Sequence, residues 1–270
     1  MTVPPAPSFV LLAAFLAACS PVEDDVAPTP RASEPPVAMS DPPAPQAAPS
    51  AVAIVEQNGT IDFAYRYPAE AAAVDAIDAR FREQAAANRT EIARMAAEEK
   101  AMRAEMGLQF HGLSSSTEWT TAGRSDELLS LEAAISSYTG GAHPNSGTAG
   151  LLWDRVADEE VQPSALFGDA SAMTEALHGA FCEALDIERD ERRGGAVVDG
   201  MFGDCPPLKD ISIIPTDGNR DGRFDQIVMI ADPYVAGSYA EGEYRIALPV
   251  DAPLRDKLAP RYADGFEIAR

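Results

Sequence analysis

The sequence predicts an α+β fold in which antiparallel β-sheet is covered by one long helix and shorter helices. Three observations predict it. β-rich stretches flank an Asn58-Gly59 turn signal. One apolar stripe of helical period runs from Val74 to Met106. Short apolar strands between turn residues fill the remainder.

The elements follow in order. Val52 to Glu56 reads as a strand, and Thr60 to Tyr67 alternates, so the two form a hairpin. Pro68 opens a helix, a position that tolerates the missing N–H. Val74, Ile77, Phe81, Ala85, Ile92, Met95, Met102 and Met106 recur at spacings of three, four and seven, and Gly107 stops the helix. Asn88 and Glu99 interrupt this stripe, so the helix bends or lies only partly on a sheet. Its bland role is to cover the protein's own sheet; its sharper one is to bind a partner helix. Leu108 to Trp119 suits a strand, with Thr121 to Arg124 as a turn, and Glu127 to Thr139 suits the next. Ala149 to Trp153 is another strand, Pro163 to Phe167 a turn of helix or loop, and Ser171 to Arg189 a helix. Ile211 to Pro215, Phe224 to Ala231 and Glu243 to Leu248 are strands, and Asp251-Ala252-Pro253 starts a closing helix.

The N-terminus indicates a compartment. Phe9 to Ala18 is an apolar run too short to span a bilayer but suited to a signal-peptide core. Leu16-Ala17-Ala18-Cys19 resembles a bacterial lipobox, which makes Cys19 the lipidated residue, although no Lys or Arg precedes Phe9. The simpler alternative is an ordinary cleaved signal peptide. Residues 1–19 are thus expected to be a lipoprotein signal peptide. Residues 20–50, rich in Pro and Ala, are expected to be a disordered tether. Ser20 after the cysteine favours the outer membrane. Cys182 and Cys205 then remain as an even pair in an oxidising compartment, which suits a disulfide; two buried thiols are the alternative.

A chain of 270 residues suits one large domain or two small ones. The formal charge of −22 and pI near 4.4 exclude nucleic acid as a partner, which needs a basic face. They suit a solvated acidic surface, a cation or a basic protein.

Asp217, Asn219, Asp221, Arg223 and Asp225 have the spacing of the front of a calcium loop. Oxygens stand at alternate positions, Gly222 makes the bend, and the Arg223 carbonyl supplies the seventh position. Val228 stands where an EF-hand needs Glu, and strands flank the loop, so the expected Ca²⁺ is structural and resembles that of FG-GAP-type hairpins. The same residues also make a plain polar turn. The three histidines, His111, His143 and His178, show no zinc-ligand spacing. No nucleophile elbow, Walker loop or dinucleotide fingerprint occurs. His143 offers either a general base in a cleft or a ring that sets loop geometry.

The most distinctive stretch is Ser137-Tyr138-Thr139-Gly140-Gly141-Ala142-His143-Pro144-Asn145. It resembles the S-Y-x-G-G-A-H junction of the RsiV-like family, in which a PdaC-type (DUF4163) domain precedes a DUF3298 domain. Tyr65-Arg66-Tyr67-Pro68 before the helix, Pro163 to Phe167, and Asp232 to Gly237 followed by Tyr244 to Val250 are similar to further family elements in the same order. The resemblance implies an extracytoplasmic fold with helices against antiparallel sheet, and a PdaC-type domain over residues 51–140 followed by a DUF3298-like domain over 141–270. Gly140, Gly141, His143, Pro144 and Asn145 are its motif residues. Family members occur as lysozyme-binding anti-sigma ectodomains and beside polysaccharide deacetylases. No sigma-binding segment and no deacetylase metal set are read in this chain.

These readings combine as a lipid-anchored protein of the cell envelope, on the periplasmic face of a bacterial membrane. It is expected to be a non-catalytic module that binds a cell-wall glycan or a basic protein such as lysozyme, with no catalytic residue. The competing reading is an envelope hydrolase acting on peptidoglycan or polysaccharide, centred on His143.

Overall fold

The computed structural model describes residues 49–196, 200 and 202–270. The expected signal peptide, Cys19 and all but the last two residues of the tether lie outside them. Among the described residues no helix is long and apolar enough to cross a membrane.

Six strands form the first sheet, in the order of the chain: β1 (Val52–Gln57), β2 (Ile61–Tyr67), β3 (Leu113–Arg124), β4 (Leu128–Tyr138), β5 (Asn145–Asp154) and β6 (Glu159–Val161). The Asn58-Gly59 hairpin forms as the sequence suggests. Asn58 Oδ1 accepts the N–H groups of Thr60 and Ile61, and Gly59 takes the left-handed φ of +74° that the turn requires. One pair departs from the expected antiparallel sheet: β2 and β3 run parallel. A long helix joins them, and a helical crossover is the connection that lets consecutive strands run the same way.

That helix is shorter than its periodicity predicts. A single turn, α1 (Ala69–Ala72), precedes α2 (Asp75–Glu105), because Val74 is extended at φ −105° and breaks the run. Ile77, Phe81, Ala85, Ile92 and Ala96 are buried on the sheet. Phe81 stacks on Trp119 of β3, with ring centroids 4.6 Å apart, and meets Tyr67 edge-on at 5.3 Å. Met102 and Met106 belong to the predicted stripe but are exposed, 47% and 55%, so the last turns of α2 leave the core.

The expected turn at Thr121 to Arg124 lies inside β3. The register shifts between Thr121 and Gly123 as a bulge, and the true turn follows it, where Ser125 Oγ accepts the N–H groups of Glu127 and Leu128. The expected domain boundary at 140/141 falls between β4 and β5. These strands pair from Leu128↔Asp154 to Ser137↔Asn145, so the sheet continues through it.

The second sheet is β7 (Ser212–Thr216), β8 (Gln226–Ala231) and β9 (Tyr244–Pro249), all antiparallel. A 3₁₀ turn at Pro163–Phe167 leads to α3 (Ala170–Arg193), which starts with Asp169 accepting the Ala172 N–H. Leu177, Phe181 and Leu185 of α3 pack with Ile227, Met229, Tyr244 and Ile246. The opposite face of this sheet, Ile214, Val228 and Ile230, meets Ala122 of β3. Gly150 permits that approach: a Cβ there would lie 3.2 Å from Ile214 Cγ1. The layers are therefore α2, six-stranded sheet, three-stranded sheet and α3. Helix α4 (Ala252–Asp256) closes the second core through Leu254.

Cys182 and Cys205 form the expected disulfide, with Cα atoms 5.6 Å apart. It ties α3 to the loop before β7.

Candidate functional site

The junction between β4 and β5 meets the loop between β8 and β9. At Gly140, φ is +94°, a left-handed conformation that favours glycine, and a Cβ there would lie 2.9 Å from the tip of the Glu99 side chain of α2. Arg103 Nη2 donates to the Gly140 carbonyl at 3.3 Å, fastening the junction to α2.

The His143 ring stacks on Tyr239, centroids 3.7 Å apart and planes 20° from parallel. The Pro144 carbonyl binds both rings: it accepts from His143 Nδ1 and from the Tyr239 hydroxyl, each at 2.9 Å. Tyr234 stands 5.9 Å from Tyr239 and is 55% exposed. Its φ of +75° is unusual for a bulky side chain and is held by a tight turn in which the Tyr234 N–H donates to the Gly237 carbonyl. Three rings thus form one partly exposed surface on two loops.

Rigid elements support these loops. Arg189 of α3 is 3% exposed and holds the Ala236 carbonyl with two N–H groups, at 3.0 and 2.8 Å. It also donates to the carbonyls of Gly203 and Asp204, next to the disulfide. Asp232 Oδ2 accepts the Thr148 N–H of β5 at 3.0 Å, while its Oδ1 is buried without a partner. Glu241 closes a capping box with Ser238 and accepts from Arg193 and Tyr244. Burial pushes the Glu241 carboxyl up, but the bonds from Tyr244, Ser238 and Arg193 outweigh it and bring it down to about 2.

This geometry displays rings and does not assemble a proton-transfer pair. His143 spends Nδ1–H on the adjacent carbonyl, and one ring face on Tyr239. Among the described residues no carboxylate or hydroxyl hydrogen-bonds to its ring. Gly141 and Asn145 lie exposed beside it.

The other sequence-singled residues lie elsewhere. In the Asp217 to Asp225 loop the side chains cap backbone groups. Asp217 accepts the N–H groups of Asp221 and Gly222, Asn219 that of Asp221, Asp221 that of Arg223, and Asp225 that of Gly218. Among the described residues Asp217, Asp221 and Asp225 are not grouped with their carboxylate oxygens all within 4.8 Å of one another. Among the described residues the grouping that could hold a metal is His178, Cys182 and Cys205. Its two sulfurs are joined to each other, so neither is a thiolate. His111 lies on the loop entering β3.

Tyr234 and Tyr239 were not legible as site residues. Asp232 to Gly237 stands out in the sequence only as a family element, and nothing marks Arg189 within a run of charged residues.

Residues 54–146 match the family model described as deacetylase PdaC. That segment is PdaC-like. It runs from β1 to the first residues of β5 and contains the whole Ser137 to Asn145 stretch. Two solved structures are similar over more of the chain. One is a DUF3298 family protein from Pseudomonas aeruginosa PAO1, 14% identical with a TM-score of 0.47 over 82% of this chain and 98% of that one. The other is a DUF3298 family member from Bacteroides fragilis NCTC 9343, 14% identical with a TM-score of 0.49 over 80% of this chain and 95% of that one. No curated protein matches the chain.

Proposed function

We propose that this protein is a lipid-anchored, non-catalytic module of the cell envelope that binds a cell-wall glycan on the Tyr234, Tyr239 and His143 surface. The observation that supports it is the His143–Tyr239 stack, which braces a partly exposed aromatic surface, with the Pro144 carbonyl fixing the imidazole in place through Nδ1. Aromatic faces are electron-rich and suit the polarised C–H faces of sugar rings. A strained, exposed tyrosine beside them costs stability and is kept where a ligand needs it. Anchoring through Cys19 and the Pro-rich tether would hold this surface off the periplasmic face of the outer membrane.

The PdaC-like match raises deacetylation as an activity. The donor set favours binding instead, because the described His and acidic residues do not converge on a metal site.

The test is sedimentation of the purified chain with sacculi, beside muramidase and deacetylase assays. Binding without turnover, weakened at least tenfold in Tyr239→Ala, is the expected result. Turnover abolished by His143→Ala overturns the proposal. So does capture by lysozyme with no binding to sacculi.

A further inference from the structure

A second surface lies at the other end of the same junction. One register row crosses the first four strands: Gln57 opposite Asp62, Asp62 opposite Ser114, and Ser114 opposite Tyr138. Cross-strand partners share a face. Here it is the face away from α2, because the adjacent Ile61, Phe63 and Leu113 are the residues buried under that helix. Ser114 is short and stands between Asp62 and Tyr138, so the row forms a notch instead of a ridge. His111 also lines it. Gly59 and Gly112 leave the nearby loops without side chains, both at left-handed φ, +74° and +83°. The result is a cleft of about 380 Å³, the size of a small-ligand site.

Its chemistry narrows the occupant. Gln57 Nε2 donates to Asp62 Oδ1 at 2.9 Å, which orients the carboxylate and leaves Oδ2 free. Ser114 Oγ and the Tyr138 hydroxyl make no hydrogen bond among the described residues. Neither Lys nor Arg lines the cleft, so a phosphate or carboxylate has no counter-charge there. A lipid tail would strand these polar groups. An oriented carboxylate beside an amide and two hydroxyls matches a pair of neighbouring sugar hydroxyls, which donate to the acid and accept from the amide. Tyr138 adds an aromatic side chain to the lining, a kind of surface that suits a sugar's C–H face.

We infer that this cleft is a subsite for one neutral hexopyranose unit, resting on the reading that the protein binds a cell-wall glycan. The glycan would then engage both ends of the Ser137 to Asn145 stretch.

The experiment is calorimetric titration of the full chain with the tetramer of N-acetylglucosamine. The variants are Asp62→Asn, Ser114→Tyr and Tyr239→Ala. Asp62→Asn keeps the shape but removes the charge; Ser114→Tyr fills the notch. Each is expected to weaken binding at least tenfold with an unchanged melting temperature. Should Ser114→Tyr not fold, Asp62→Asn decides alone. Full affinity in Asp62→Asn and a folded Ser114→Tyr, with loss in Tyr239→Ala, overturns the subsite and leaves the glycan reading standing. No binding of tetramer or sacculi by the parent chain overturns both.

Discussion

Arg189 of α3 holds the carbonyl of Ala236 in the β8–β9 loop with two hydrogen bonds. The same guanidinium holds the carbonyls of Gly203 and Asp204, so a single buried cation joins the disulfide loop to the loop that bears Tyr234 and Tyr239. Arg189→Met keeps the buried stem but removes two hydrogen bonds to the Ala236 carbonyl, which retains the Arg193 Nη2 donor, and one each to the carbonyls of the exposed Gly203 and Asp204. A hydrogen bond from a charged donor contributes about 1.5–3 kcal/mol where it is buried and less where water can replace it, so a loss of about 1–3 kcal/mol is expected in urea denaturation. Hydrogen exchange should rise at residues 234–241 ahead of the sheet.

The disulfide closes a loop with a sequence separation of 23, which in the chain-entropy picture contributes about 3 kcal/mol. The Cys182→Ser, Cys205→Ser double variant should lose about that much. Because Asp204 is adjacent to Cys205 and bonded to Arg189, combining this variant with Arg189→Met should give less than the sum of the separate losses. An additive result in a denaturation cycle would show that the two supports are independent.

Gly123 sits at the bulge of β3 against the turn after β7. A Cβ there would lie 2.7 Å from the Asp217 amide nitrogen and 2.8 Å from the Phe224 ring, neither of which can retreat freely. Gly123→Ala is expected to cost about 1–3 kcal/mol by overpacking. Gly179 in α3 makes the contrast: nothing lies within 4 Å of its added Cβ. Gly179→Ala should therefore stabilise by about 0.8–1 kcal/mol through helix propensity. Melting temperatures of the two variants should move in opposite directions.

Acid should weaken the fold through carboxylates held below their ordinary range. Glu241 lies at about 2 against an ordinary 4.5. For Asp154, burial pushes up, but bonds from the Ala157 N–H, the Tyr262 hydroxyl, the Val156 N–H and the Arg261 charge together hold it low. A group depressed on folding binds fewer protons in the native state, so its contribution is present above the unfolded value and lost as pH falls. The loss attributable to Glu241 should run from about pH 4.5 down to about pH 2. Urea midpoints measured across this range should fall, and Glu241→Gln should fall less steeply than the parent chain.

Much of the architecture was readable from local pattern. The Asn58-Gly59 turn, the Phe81 stripe and the cysteine pair each follow from a short-range rule. What escaped depends on partners distant in sequence. The parallel β2–β3 pair cannot be told from an antiparallel one by alternation. Thr121 to Arg124 has turn-like composition, yet β4 and β7 hold it as a bulged strand. Val74 fits the helical period, but its extended backbone breaks the helix. The ring surface needed His143 and Tyr239, 96 positions apart, to be brought together. Its braces, Arg189 and Asp232, bond to carbonyl and amide groups that carry no side-chain signature.

Continuity of the first sheet from β4 into β5 has a practical consequence for dissecting the protein. A break between Gly140 and Gly141 would leave the β4 ladder without its ten-residue partner, and each fragment would expose an open row of N–H and C=O groups to the other. Separately expressed pieces should thus reassemble by complementation when mixed, or trade strands between molecules when concentrated. The PdaC-like segment is not a portable cassette: its last strand needs a neighbour encoded downstream.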